Sequence, residues 1–157
     1  MKKFILNLVT ILFVMNAASA GEFVLVTQDE YQRNMDAGET CRGGEFNFRS
    51  TPGEPGPLVK VYKPKAGKSL LSPVDIKISF IRMEDVPVDV ESLEILYGWL
   101  EIDVTDRIRE YAEITEEGIS APGAKLPSGD HSFLLRIADV NGRFTEKGFD
   151  VTVAEAN

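Results

Sequence analysis

Cysteine is almost missing from this chain. Cys41 is the only one in 157 residues, so no internal disulfide forms and burial of apolar side chains must hold the fold together. Histidine and tryptophan also occur once each, as His131 and Trp99. A catalytic thiol needs a base beside it, and the single histidine stands far along the chain in a strand pattern. The sequence carries no Gly-rich phosphate loop, no zinc-ligand spacing and no Gly-x-Ser-x-Gly elbow. Nucleotide hydrolysis, a structural zinc centre and serine-hydrolase chemistry are therefore set aside. Beyond residue 20 no apolar run approaches the ~20 residues that a spanning helix needs. No long stretch repeats its apolar residues at helical spacing, which argues against an all-α core.

The N-terminus reads as a secretory signal over residues 1–20. Lys2 and Lys3 form a basic start, Phe4 to Met15 a short apolar run, and Ala18-Ser19-Ala20 a small-residue cleavage pattern. Cleavage before Gly21 implies an exported product, periplasmic or extracellular. It leaves 15 Lys and Arg against 25 Asp and Glu, a net charge of about −10. So acidic a chain repels nucleic acid and anionic lipid. Lys60, Lys63, Lys65 and Lys68 are a local exception. They read first as a solvated edge that discourages strand aggregation, and second as an anion site.

Residues 21–57 read as a loosely structured N-terminal arm. Thr27-Gln28-Asp29-Glu30 has the spacing of a helix capping box, which predicts a short helix to about Asn34. After it, Gly38, Gly43, Gly44, Gly53 and Gly56 join Pro52, Pro55 and Pro57, a density of breakers that argues against a packed element. Cys41 lies here, as a free thiol or one bridged to a partner.

Residues 58–154 read as short strands. Val59 and Val61 alternate with polar neighbours until Pro64, and Val74, Ile76, Ile78 and Phe80 alternate with Asp75, Lys77 and Ser79. Arg82 to Ser92 reads as a connector with a helical turn at Asp89–Ser92. Leu93, Ile95 and Tyr97 form a third strand ended by Gly98. Ile102 and Val104 suggest a short strand, and Thr105 or Asp106 a cap for a turn holding Ile108. Two short runs flank Glu116-Glu117-Gly118, and Pro122 to Gly129 reads as loop. The last stretch is a hairpin. His131, Phe133, Leu135 and Ile137 share one parity, Phe149, Val151 and Val153 answer them, and Asn141-Gly142 supplies the turn. About seven strands at this spacing predict an all-β, antiparallel sandwich.

Several phrases support that reading: Ser72-Pro73-Val74-Asp75-Ile76, Ser92-Leu93-Glu94-Ile95, Asp103-Val104-Thr105-Asp106-Arg107, Leu126-Pro127 with Gly129 and His131, and Asp139 with Gly142-Arg143. Together they resemble the immunoglobulin-like (fibronectin III-like) modules of bacterial exported proteins. They are similar above all to small secreted proteins of unknown function that carry one such module after a signal and a short leader. The resemblance covers about residues 57 to 153 and implies a fold rather than a reaction. It brings no catalytic residue, cofactor or metal. Gly129, His131, Asp139 and Gly142 then read as turn and strand-start residues, with His131 hydrogen-bonded to a neighbouring loop.

Two acidic clusters, Glu101 with Asp103 and Asp106, and Glu113 with Glu116 and Glu117, lack an EF-hand's ordered spacing and read as solvated surface. Tyr97, Trp99 and Leu100 form the recognition candidate, since a tryptophan after a strand-ending glycine stands at an edge. The expectation is an exported, non-catalytic binding or structural module. It contacts another envelope or secreted protein by an exposed sheet edge or by the Trp99 loop. The alternative is a carbohydrate-binding module using Trp99 and nearby tyrosines.

Overall fold

The computed structural model describes residues 21–40 and 56–155. The expected signal at 1–20 and Cys41 lie outside the described residues. Nine strands are present among them: β1 (Leu58–Lys63), β2 (Ser69–Leu70), β3 (Val74–Ile81), β4 (Val88–Tyr97), β5 (Ile102–Asp103), β6 (Glu113–Thr115), β7 (Gly118–Ala124), β8 (Gly129–Asp139) and β9 (Phe144–Val153). Two helices join them, α1 (Gln28–Thr40) and α2 (Thr105–Tyr111). The strands form two sheets, ordered β1-β3-β7-β6 and β2-β9-β8-β4-β5. Every pairing is antiparallel except that of β2 with β9. The fold is an all-β sandwich.

The inward rows follow the alternation in the sequence. Val74, Ile76, Ile78 and Phe80 of β3 face His131, Phe133, Leu135 and Ile137 of β8 across one continuous core. The β8–β9 hairpin keeps its register from Gly129↔Val153 to Ala138↔Phe144. Its turn closes through the Asp139 carbonyl, which accepts from Gly142 N–H at 2.9 Å, and Gly142 takes φ 80°. A side chain there would be strained. The Asp139 carboxylate accepts from the N–H groups of Asn141 (2.9 Å) and Arg143 (3.0 Å) and from Arg143 Nε (2.7 Å).

Three local expectations are corrected. Asp89–Ser92 is no helical turn but part of β4, which bulges between Asp89 and Glu94. Ser92 fills the gap in the ladder: its hydroxyl donates to the Asp89 carbonyl and accepts from Ala138 N–H. Neither Thr105 nor Asp106 caps α2, whose N-cap is Val104. The Thr105 hydroxyl instead accepts from Ile95 N–H at 2.8 Å, which ties the helix to β4. β7 runs on to Ala124, through part of the expected loop.

The described part of the arm is also corrected. Its stretch from Phe23 to Asn34 sends buried side chains into the sandwich rather than lying loose. Phe23, Leu25 and Val26 belong to the core, and Leu25 is completely buried. Lys125 N–H donates to the Phe23 carbonyl at 2.8 Å, and Leu25 N–H to the Lys125 carbonyl at 3.0 Å, so the segment extends the end of β7. Phe23 stacks on Tyr111 with ring centroids 4.9 Å apart. Four consecutive apolar residues, Phe23 to Val26, carry too short a pattern to be placed on either sheet in advance. A packed segment makes a direct prediction. Leu25→Ala should destabilise the mature chain by about 2–4 kcal/mol, read from the urea midpoint, whereas a loose leader would leave that midpoint unmoved.

Candidate functional site

Two regions offer a surface that the core does not use: the end of the sandwich at Trp99, and the open side between β1 and β9.

At the Trp99 end, α1 is seated across the strand termini. Its capping box is complete. Glu30 N–H donates to Thr27 Oγ1 (3.3 Å), and Thr27 N–H donates back to Glu30 Oε2 (2.9 Å). Arg107 of α2 then grips the same carboxylate with both arms, Nη1 to Oε2 at 2.8 Å and Nη2 to Oε1 at 2.6 Å, and also donates to the Leu25 carbonyl at 2.9 Å. Such a two-point contact is strong because charge and geometry reinforce each other. The Arg107 hydrogen bonds pull the Glu30 carboxyl down to about 2, against the opposing effect of burial.

One turn further along α1, Asn34 Oδ1 accepts from Trp99 N–H at 2.6 Å. Gly98 has φ 64°, and a Cβ placed there would collide with Asn34. Gly38 lies close against the Trp99 indole for the same reason. The three residues of the recognition candidate therefore separate. Tyr97 is wholly buried, while Trp99 and Leu100 are 39% and 47% exposed. This corrects the reading of Tyr97 as a contact residue. Its ring is core because it stands on the inward parity of β4, beside Phe133 at 5.2 Å. Trp99 covers the end of α1 with one part of its ring.

His131 sits beneath this end, 1% exposed. Its Nε2 lies 2.9 Å from the Pro127 carbonyl and its Nδ1 lies 3.1 Å from the Tyr97 hydroxyl. The carbonyl only accepts, so Nε2 carries the proton and the Tyr97 O–H donates to Nδ1. Burial pushes the imidazole below its usual range, against the pull of the Pro127 carbonyl, and pushes the Tyr97 phenol up. Tyr31 of α1 closes over the ring at a centroid distance of 5.0 Å. Among the described residues no group of three or more His, Cys, Asp or Glu converges as a metal site. Asp103 of the first acidic cluster caps Thr105 N–H, and Glu116 of the second pairs with Arg82.

On the open side, the hydrogen-bond parity of β9 is fixed at both ends. Phe144 offers its carbonyl outward to Gly56 N–H (3.4 Å), and Ala154 donates its N–H outward to the Leu70 carbonyl of β2 (2.7 Å). Even-numbered residues of β9 therefore point their backbone groups away from β8. β2 pairs only with Thr152 and Val153. Glu146, Gly148 and Asp150 are left with outward N–H and C=O groups that no described strand meets. A groove of about 510 Å³ runs along Gly148 and Asp150, with Val59, Val61 and Tyr62 of β1 on its far wall and Lys147 and Phe149 on its near one. Sequence reading assigned no contact role to these β9 residues, because edge position depends on strand order and not on local pattern.

No protein-family model and no curated protein matches the chain. Three solved structures resemble it in shape. CopC from Methylosinus trichosporium OB3b is 15% identical, over 64% of this chain and 97% of that one, with a TM-score of 0.46. The endo-beta-1,4-mannanase from Thermotoga petrophila is 12% identical, over 67% of this chain and 21% of that one, at 0.47. The fibronectin(III)-like modules of Clostridium thermocellum CbhA are 14% identical, over 64% of this chain and all of that one, at 0.40.

The Glu30 carboxyl yields a pH prediction. Its pKa is depressed on folding, from 4.5 to about 2, so its contribution is whole above 4.5 and disappears as pH falls through about 2. Glu30→Gln should cost about 1–3 kcal/mol at pH 7, and urea midpoints should show the gap to wild type closing between those two values. His131 is the only histidine, so one imidazole proton signal reports it by NMR. That signal should titrate below the ordinary histidine range, in step with loss of stability as pH falls, because the unfolded chain takes up the proton first.

Proposed function

We propose that this protein is an exported, non-catalytic binding module that contacts another envelope or secreted protein through the open edge of β9. The observation that carries the reading is the row of outward backbone groups at Glu146, Gly148 and Asp150, the last two facing β1 across a groove. An unpaired edge invites another chain to add a strand. Isolated modules protect such edges with short strands, bulges and lysines. Here β2 covers only the last two residues of β9, and β1 carries a bulge at Val61 and Lys63. Those devices limit free aggregation and leave the middle of the edge for a selected partner. The signal pattern over residues 1–20 supports export.

The test is site-specific photocrosslinking in the native envelope. A benzoylphenylalanine at Tyr62, in the groove, should yield a discrete crosslinked species. The same group at Ser120, on the outer face of β7, should not. Gly148→Pro removes one outward N–H without touching the β8 ladder and should abolish the Tyr62 adduct. Equal labelling from both positions, or an adduct indifferent to Gly148→Pro, would sink the edge reading.

A further inference from the structure

The polar groups beneath the Trp99 end form one line of hydrogen bonds, from the Gly98–Trp99 turn to the Pro127 loop. Trp99 N–H donates to Asn34 Oδ1 at 2.6 Å. The Asn34 side chain is also hydrogen-bonded to the Tyr97 phenol and favours its ionised form, so the amide nitrogen donates to the phenol oxygen. The Tyr97 O–H donates to His131 Nδ1 at 3.1 Å, and His131 Nε2 donates to the Pro127 carbonyl at 2.9 Å. Asn34, Tyr97 and His131 are all buried. Donation along this line therefore has a single sense, and it holds only while the imidazole is neutral. A second proton turns Nδ1 from acceptor to donor. The Tyr97 O–H then needs another acceptor, and Asn34 Oδ1 is the one beside it. Turning the Asn34 amide to supply that oxygen sets its nitrogen against the Trp99 N–H, donor against donor. The mismatch travels outward until water can take it. Trp99, 39% exposed, is the member of the line where that happens.

We infer that His131 is an acid-sensitive latch, whose protonation releases the Gly98–Trp99 turn from α1 while the sandwich stays folded. The inference stands apart from the edge reading. The surroundings of the ring set its threshold. Tyr31 of α1 lies over it at 5.0 Å and Tyr97 of β4 beside it at 5.8 Å, and Val151 of β9 opposes it in register. Two carboxylates act on this cluster. Asp130, next to His131 on β8, favours the protonated ring, and Glu30 of α1 acts on the Tyr97 phenol while Arg107 of α2 holds it. Burial outweighs Asp130 and the Pro127 carbonyl, so the proton enters only below the ordinary histidine range. The main anchor of α1 outlasts that event. Its Glu30 carboxyl stays ionised down to about pH 2, so the grip of Arg107 persists while His131 titrates. The two events are thus separated in pH, and the turn loosens before the helix does.

NMR tests this on the mature chain, residues 21–157. The sequence has one histidine and one tryptophan, so selective labelling gives one imidazole signal and one tryptophan backbone amide. On acidification the Trp99 amide should shift with the same midpoint as the His131 ring, while the amides of the β8–β9 hairpin hold their positions. His131→Gln keeps a donor for the Pro127 carbonyl and an acceptor for Tyr97 but takes up no proton. Its Trp99 amide should lose the transition. Tyr97→Phe cuts the line between the ring and Asn34. There His131 should still titrate, and the Trp99 amide should no longer follow it. Thermal melts at neutral pH check that each variant is folded, and Tyr97→Phe decides alone if His131→Gln is not. A Trp99 amide that stays fixed while the wild-type imidazole titrates would overturn the latch. So would a Trp99 transition that persists unchanged in either folded variant. A transition that appears only as the hairpin amides collapse would overturn it as well, since acid would then be unfolding the whole domain.

Discussion

Every strand at the side of a sheet presents a row of backbone donors and acceptors, and each row must be paired, wetted or covered. That requirement organises this molecule more than any single side-chain contact. β5 covers the outer edge of β4 for two residues, β6 covers that of β7 for three, and β2 covers the end of β9. The N-terminal segment bonds to Lys125 where β7 runs out. Among the described residues the middle of β9 is one such stretch left without a paired strand, and the functional reading follows from it.

Closure of the opposite end depends on one carboxylate. Glu30 completes the cap of α1 and receives both arms of Arg107, so a single side chain starts the helix and fixes it to the sandwich. Asn34 and Tyr31 then follow at helical spacing, one on the Gly98–Trp99 turn and one over His131. The polar atoms thus brought inside are satisfied. His131 bridges a loop carbonyl and a buried phenol, and Thr105 meets a strand amide. Buried polar groups paired this completely add rigidity without the cost of an orphaned donor. The rigid end explains why Trp99, the obvious recognition residue from composition, is partly spent on packing.

Much of the architecture was legible because burial imposes a period of two. Val74 to Phe80 and His131 to Ile137 declared their inward faces, and Asn141-Gly142 declared the turn between β8 and β9. The capping box at Thr27–Glu30 was legible too, since its spacing has a single purpose. The arm misled because glycines and prolines further on suggested looseness, while Phe23, Leu25 and Val26 pack through contacts with Lys125 and Tyr111 that are remote in sequence. Tyr97 misled for a different reason. A strand-ending aromatic reads as exposed until the neighbour on the next strand, here Phe133, is known. The β9 edge was invisible, because strand order is a global property.

Amide hydrogen exchange along β9 tests the central claim most directly. The account predicts alternation: Lys147, Phe149 and Val151 protected by β8, and Glu146, Gly148 and Asp150 exchanging fast. Uniform protection from Glu146 to Val151 in the isolated mature chain would contradict it, because it would mean that the edge is already covered.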